Sequence, residues 1–265
     1  MGELDMLRNE IDELDRELAE VLEKRMNVVM RIMEAKKRMG IPVFNREREH
    51  EVIEKVGSYV ENKQFRDEIE SILQKIMACS RKIQSEYLFP YHIVLVGFMG
   101  SGKSTVAGEM AEMLAKKSID LDQLIEEKQS SSISDIFKHE GESAFREMEK
   151  DLVKDVTAMN ETYVISTGGG VVLDEENVLN LKQTGVIVWL KTSAEEIYHR
   201  ISENKERPLL RDDMSVEKIR SLLEQRMPLY EKAADLVIDT DQKTVKEIGL
   251  EIVKKLGSVS NDGEN

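Results

Sequence analysis

From Glu3 to Met39 the chain contains neither Pro nor Gly, and Leu4, Leu7, Ile11, Leu14, Leu18, Val21, Val28, Ile32, Ala35 and Met39 recur through it, mostly three or four apart. This spacing predicts one continuous helix. At ~1.5 Å of rise per residue it would run to roughly 54 Å, about twice the width of a compact domain built from a segment this size. Such a helix cannot bury its apolar stripe against its own short partners alone. A second copy of the chain is therefore expected to pack along it, giving a helical homodimer. Between Val21 and Val28 the same alternation lands on Arg25, and a cation on an apolar seam is costly unless something pairs with it.

Gly40 and Pro42 stop this first helix. A second is predicted over 46–59 (Arg46 to Tyr59), and a third along Phe65, Ile69, Ile72, Ile76, Cys79 and Ile83, ended by Pro90. The pattern then changes. His92 to Phe98 is a continuous apolar run of the kind found in buried parallel strands, with further runs at Tyr163 to Ser166, Val186 to Leu190 and Leu236 to Ile238, separated by helical stretches. The expected architecture is multidomain: an all-α three-helix domain over 1–88, an α/β domain with a parallel sheet over 89–257, and a polar, disordered tail over 258–265.

The net charge of −14 disfavours a nucleic acid or an anionic membrane as partner. Against that background a local cluster of cations points to a small phosphorylated or carboxylated molecule. One cysteine, Cys79, cannot form an internal disulfide, no apolar run is long enough to span a bilayer, and the N-terminus lacks a signal-peptide core. A cytoplasmic location is the expectation.

Directly after the first predicted strand comes Gly97-Phe98-Met99-Gly100-Ser101-Gly102-Lys103-Ser104, followed by Thr105. This is the GxxxxGKS pattern of a phosphate-binding loop opening a helix. Its glycines let backbone N–H groups wrap phosphates, its lysine reaches the terminal phosphates, and its serine hydroxyl binds Mg²⁺. The loop implies ATP and Mg²⁺ but leaves the phosphate acceptor open among small-molecule kinases, nucleotide kinases and switch-type NTPases. Asp120 and Asp122, two apart at a predicted strand end, can aim both carboxylates one way, toward the metal and toward an acceptor hydroxyl. Arg146 and Glu149 sit on adjacent turns of a helix, so Glu149 can hold the guanidinium still. Gly168, Gly169 and Gly170 after a strand allow close backbone approach to a ligand. Arg207 lies in a charged, patternless stretch from Asn204 to Asp213 that reads as a lid.

Together these motifs resemble the shikimate kinase family over essentially all of residues 91–255. The resemblance implies that Asp122, Arg146, Gly168, Gly169, Gly170 and Arg226 hold shikimate, with Arg146 and Arg226 on its carboxylate and Asp122 on the reacting hydroxyl. It also implies that Asp120 supports Mg²⁺, that Arg200 lies near the nucleotide, and that Arg207 steadies the transferring phosphoryl group. Thr240 to Lys243 depart from the Arg and Pro that the family often places against adenine.

In the helical segment, Arg8 and Lys36 flank the stripe that carries Arg25, while Ser80 and Gln84 are four apart beside the apolar row of the third helix. With Asn45, Arg48 and Glu49 they resemble the all-helical chorismate mutase family over residues 3–88. By that resemblance Arg8 comes from the partner chain and grips the two carboxylates of chorismate together with Arg25 and Arg48. Lys36 and Gln84 donate to the ether oxygen, and Glu49, Ser80 and Asn45 line the substrate. Asn45 replaces the family's usual Asp, and its amide oxygen remains an acceptor. The combined expectation is a bifunctional enzyme of aromatic amino acid biosynthesis. The alternative is a shikimate kinase whose helical domain senses chorismate or prephenate, or serves dimerisation alone.

Overall fold

The protein is described by a computed structural model covering residues 2–39, 45–202 and 215–262. It divides into two compact units, Met1–Tyr87 and Leu88–Asn265.

The first unit is all helical. Helix α1 (Glu3–Met39) is unbroken, as its Pro-free stripe demands. Helix α2 (Arg46–Gly57) starts where Asn45 Oδ1 accepts the Arg48 N–H at 2.9 Å, and it ends two residues earlier than its sequence suggests, where Ser58 N–H closes onto Glu54 O. After one tight turn at Lys63–Phe65 comes α3 (Arg66–Leu88). Among the described residues of this unit only Met33 and Met77 are fully buried apolar side chains, whereas Leu4, Leu7, Ile11, Leu14, Leu18, Val21, Val28 and Ile32 remain about half exposed. Three helices this long with so small a core leave a continuous apolar face uncovered.

The second unit is a five-stranded, fully parallel sheet in the order β2-β3-β1-β4-β5, built from β1 (His92–Val96), β2 (Lys117–Asp120), β3 (Tyr163–Ser166), β4 (Gly185–Lys191) and β5 (Leu236–Asp239). Helices α4 (Lys103–Leu114), α5 (Leu121–Gln129), α6 (Ile133–His139), α7 (Gly141–Thr157), α8 (Glu175–Thr184), α9 (Ala194–Ile201), α10 (Val216–Ala233) and α11 (Val245–Asp262) connect and cover the strands. Central β1 is buried along its whole length, which accounts for its uninterrupted apolar run. Strand β2 escapes an apolar-run search because it lies at the sheet edge and carries the exposed pair Lys117 and Ser118. Helix α11 continues to Asp262, beyond the boundary expected at 257, because Ile248, Ile252, Val253 and Leu256 anchor it to the core and no Pro stops its propagation.

Candidate active sites

The strand order reverses beside β1, and the segment leaving the C-terminal end of β1 is the glycine loop. Gly97, Gly100 and Gly102 all have positive φ (149°, 77° and 93°). A side chain at Gly97 would strike Leu190 O, and one at Gly100 would strike the Ile201 side chain, so sterics as well as torsion demand glycine there. Gly102 caps α4 with no side chain, so the first N–H groups of the helix stay available to an anion. Lys103 is buried and its ammonium donates to Gly97 O at 2.9 Å and Phe98 O at 3.0 Å. Ser101 Oγ is buried without a hydrogen-bond partner among the described residues, and Thr105 is exposed in the first turn of α4. Arg200 on α9 donates to Ser101 O and Thr240 O, each at 3.1 Å, and pairs with Glu196 at 2.8 Å. The Thr240 turn is thereby tied to the loop.

Asp120 and Asp122 make different contacts. Asp120 ends β2, where its Oδ2 accepts the Ser104 hydroxyl at 2.6 Å and its Oδ1 caps α5 by accepting Gln123 N–H. Asp122 lies in the first turn of α5, with its carboxylate against Gly168. Ser166 at the end of β3 brings a second hydroxyl within 3.2 Å of Ser104.

The triple glycine joins this loop to a second cluster. A Cβ on Gly169 would crowd Met99 N at 3.2 Å, one on Gly168 would meet Asp122 and Glu149 carboxylate oxygens at 2.7 and 2.8 Å, and one on Gly170 would sit on the Arg146 guanidinium. Arg146 binds Glu149 at 2.8 Å and Glu142 at 3.1 Å. Glu149 is fully buried, and burial pushes its carboxyl upward while Arg146 opposes the shift and Asp122 adds to it. From α10, Arg226 and Tyr230 both donate to Gly169 O, at 3.1 and 2.6 Å. Tyr230 was not apparent as a site residue. It is buried and stacked on Trp189, and burial raises its phenol to about 12, so its only sequence signal is a spacing of four from Arg226. Arg207 and its surrounding stretch lie outside the described residues.

In the helical unit, Arg25 Nη1 donates to Ser80 Oγ at 2.6 Å, and Gln84 Nε2 donates to Val29 O at 3.4 Å. Lys36 is half-buried, and its ammonium is pushed below its usual range by desolvation, partly offset by Glu49. Arg25, Lys36, Glu49, Ser80 and Gln84 thus come from three helices into one region. Arg81, absent from the sequence-derived set, joins them by pairing with Glu49. Two members stand apart in the single chain. Arg8 is exposed, 3.9 Å from Asp5, and Arg48 is exposed and paired with Glu51 at 2.8 Å. The exposed Asn45 uses its side-chain oxygen as the α2 cap.

Among the described residues no helix is long and apolar enough to cross a membrane. Two family models match the chain in tandem: chorismate mutase type II over residues 7–85 and shikimate kinase over 99–257. The shikimate kinase of Thermodesulfovibrio yellowstonii is 44% identical over 170 residues, which is 64% of this chain and 97% of that protein. That of Caldanaerobacter subterraneus is 42% identical over 163 residues, covering 62% of this chain and 94% of the relative. Among solved structures, shikimate kinase from Acinetobacter baumannii in complex with shikimate superposes with a TM-score of 0.63 at 36% identity, over 66% of this chain and 98% of that one. The Aquifex aeolicus enzyme gives 0.55 at 30% identity, over 66% and 99%. With the loop, the triple glycine and the arginine cluster in one α/β unit, and a cation-and-amide pocket in the helices before it, the chain belongs to the shikimate kinase family and carries a type II chorismate mutase domain ahead of the kinase.

Proposed function

We propose that the α/β unit transfers the terminal phosphoryl group of ATP to shikimate, giving shikimate 3-phosphate, through the residues gathered around Gly168, Gly169 and Gly170. In this reading Arg146, braced by buried Glu149, and Arg226, braced against Gly169 O, grip the substrate carboxylate. Asp122 orients the acceptor hydroxyl and takes its proton. Lys103 and the N–H groups of Gly100 to Ser104 face the phosphates, Arg200 flanks the nucleotide, and Arg207 would approach the transferring group. The hard oxygen donors Ser104, Asp120 and Ser166 fit Mg²⁺, which supplies charge neutralisation on the phosphate oxygens when bound with ATP. Phosphoryl transfer needs positioning and positive charge more than a nucleophile, and this site offers both. The observation that carries the reading is the contact of Gly169 with both sides: its backbone meets the phosphate loop while its carbonyl is held by Arg226 and Tyr230.

For the helical unit we infer that Arg25, Lys36, Glu49, Ser80 and Gln84 bind chorismate and stabilise its rearrangement to prephenate. A second copy would supply Arg8, with Arg48 closing on the substrate. A unimolecular rearrangement needs a compact conformer held in place and a polar transition state stabilised, with no base and no metal. The uncovered α1 face supports a homodimer, since burying the remaining half of each apolar side chain along it gains about 1 kcal/mol, roughly half the value for a fully exposed one.

The test follows chorismate loss and shikimate-dependent ADP release separately on the intact protein. Asp122→Asn is expected to abolish the second and spare the first, and Arg25→Leu the reverse, with the dimer retained. A nucleoside monophosphate outcompeting shikimate as acceptor would overturn the kinase reading. Absence of chorismate turnover in the wild type would turn the helical unit into a sensing or dimerisation module, and full mutase turnover in Arg25→Leu would remove Arg25 from the pocket.

A further inference from the structure

The helical pocket contains one charge that the mutase reading does not use. Arg81 sits on α3 between Ser80 and Gln84, and at ~100° per residue its side chain leaves the helix about 60° from Gln84, on the flank that faces α2. It forms an ion pair with Glu49 Oε2, and the two side chains retain only 21% and 24% of their exposure. By contrast, Arg48–Glu51 on the same α2 is 67% and 63% exposed, a setting in which ion pairs contribute little. Glu49 is also close enough to Lys36 on α1 to act on its charge, and that ammonium is partly desolvated. One carboxylate from α2 therefore pairs with a cation from α3 and acts on the charge of a cation from α1.

We propose that Arg81 is a positioning residue of the mutase pocket: by holding Glu49 toward α3 it limits how far Glu49 neutralises Lys36, and it fixes the carboxylate that faces the substrate. The claim rests on the mutase pocket proposed above. Two cations compete for one carboxylate in a site of reduced solvent screening. The bidding of Arg81 leaves more of the Lys36 charge for the breaking ether bond, where charge develops only in the transition state. Without Arg81, Glu49 turns to Lys36, and the loss falls on turnover more than on substrate binding. The same pair accounts for an arginine at a half-buried position where an aliphatic side chain would pack at less desolvation cost.

The experiment uses the full chain. Arg81→Met is expected to lower mutase kcat about tenfold to a hundredfold, with KM changed far less and the shikimate kinase rate of the same preparation unaltered. Arg81→Lys should recover most of the turnover. In a Glu49→Gln background Arg81→Met should add almost nothing, because no carboxylate remains to be diverted. A kcat within about twofold of wild type in Arg81→Met, or effects of the two substitutions that simply add, would overturn the proposal. A purely structural role would lower the melting temperature and the fraction of active molecules alike in Arg81→Met and Arg81→Lys, and that outcome also overturns it. Arg25→Ala is the separate control for the pocket: undiminished mutase turnover in that variant would refute the pocket assignment itself.

Discussion

Gly170 shows how a residue without a side chain can define a site. Its φ of −107° is open to any L-residue, so backbone strain does not require glycine here. Space does, because a Cβ would occupy the position of the Arg146 guanidinium. Gly170→Ala is therefore expected to fold normally, since the obstructed atoms are the tip of a flexible side chain, yet to displace Arg146 from Glu149. The KM for shikimate should rise at least about tenfold with a smaller fall in kcat, as for loss of a charge-assisted contact worth ~1.5–3 kcal/mol. Steady-state kinetics beside a thermal melt would check this, and an unchanged KM would remove Arg146 from the substrate carboxylate. The triple glycine was legible in the sequence as a place of close approach, but the approaching groups were not. Asp122 and Glu149 on one side of Gly168 come from α5 and α7, and Tyr230 reaches Gly169 from α10, contacts set by how those helices lie on the sheet.

At the scale of elements, the junction of β1 and β3 carries a pH dependence. His92 is buried, stacks on Tyr163, and accepts the Tyr163 N–H through Nδ1 at 3.1 Å. Burial, reinforced by the charge of Lys116, lowers its pKa below the ordinary 6.5. The unfolded chain then binds more protons than the folded one below pH 6.5, so stability declines as pH falls through and beneath that value, with a slope of at most about 1.4 kcal/mol per pH unit. Melting temperatures of wild type and His92→Asn between pH 7.5 and 5 should converge as the pH drops, because the wild type alone loses this contribution. Parallel curves would show that His92 is not buried neutral. The elements differ in how plainly the sequence announced them. Central β1 reads directly because both its faces are covered, whereas edge strand β2 is half solvated and its Lys117 and Ser118 hide it. Helix α5 begins one residue after β2 ends, and that abrupt turn sends Asp120 and Asp122 to different partners.

For the whole molecule the decisive feature is how small a core the described residues of the helical unit form. Among them Met33 and Met77 alone are buried apolar side chains, while a stripe from Leu4 to Ile32 stays open. A twofold contact along α1 would bury that stripe twice over, once per chain. Leu14→Glu is expected to convert the protein to monomers in sedimentation and to abolish mutase turnover, because Arg8 of one copy would no longer reach the other. Kinase turnover should persist. A monomeric wild type with full mutase activity would defeat this picture. By itself the sequence determined the kinds of element and the chemistry they carry: a Pro-free heptad-like stripe must be a helix, and a glycine loop with Lys103 after a buried strand must face phosphate, since both follow from local geometry and periodicity. Only the tertiary structure decided which charges share a pocket. Glu49 pairs with Arg81 and acts on the charge of Lys36, and Gly169 lies between the phosphate loop and Arg226, because residues remote along the chain meet through packing, which local spacing does not encode.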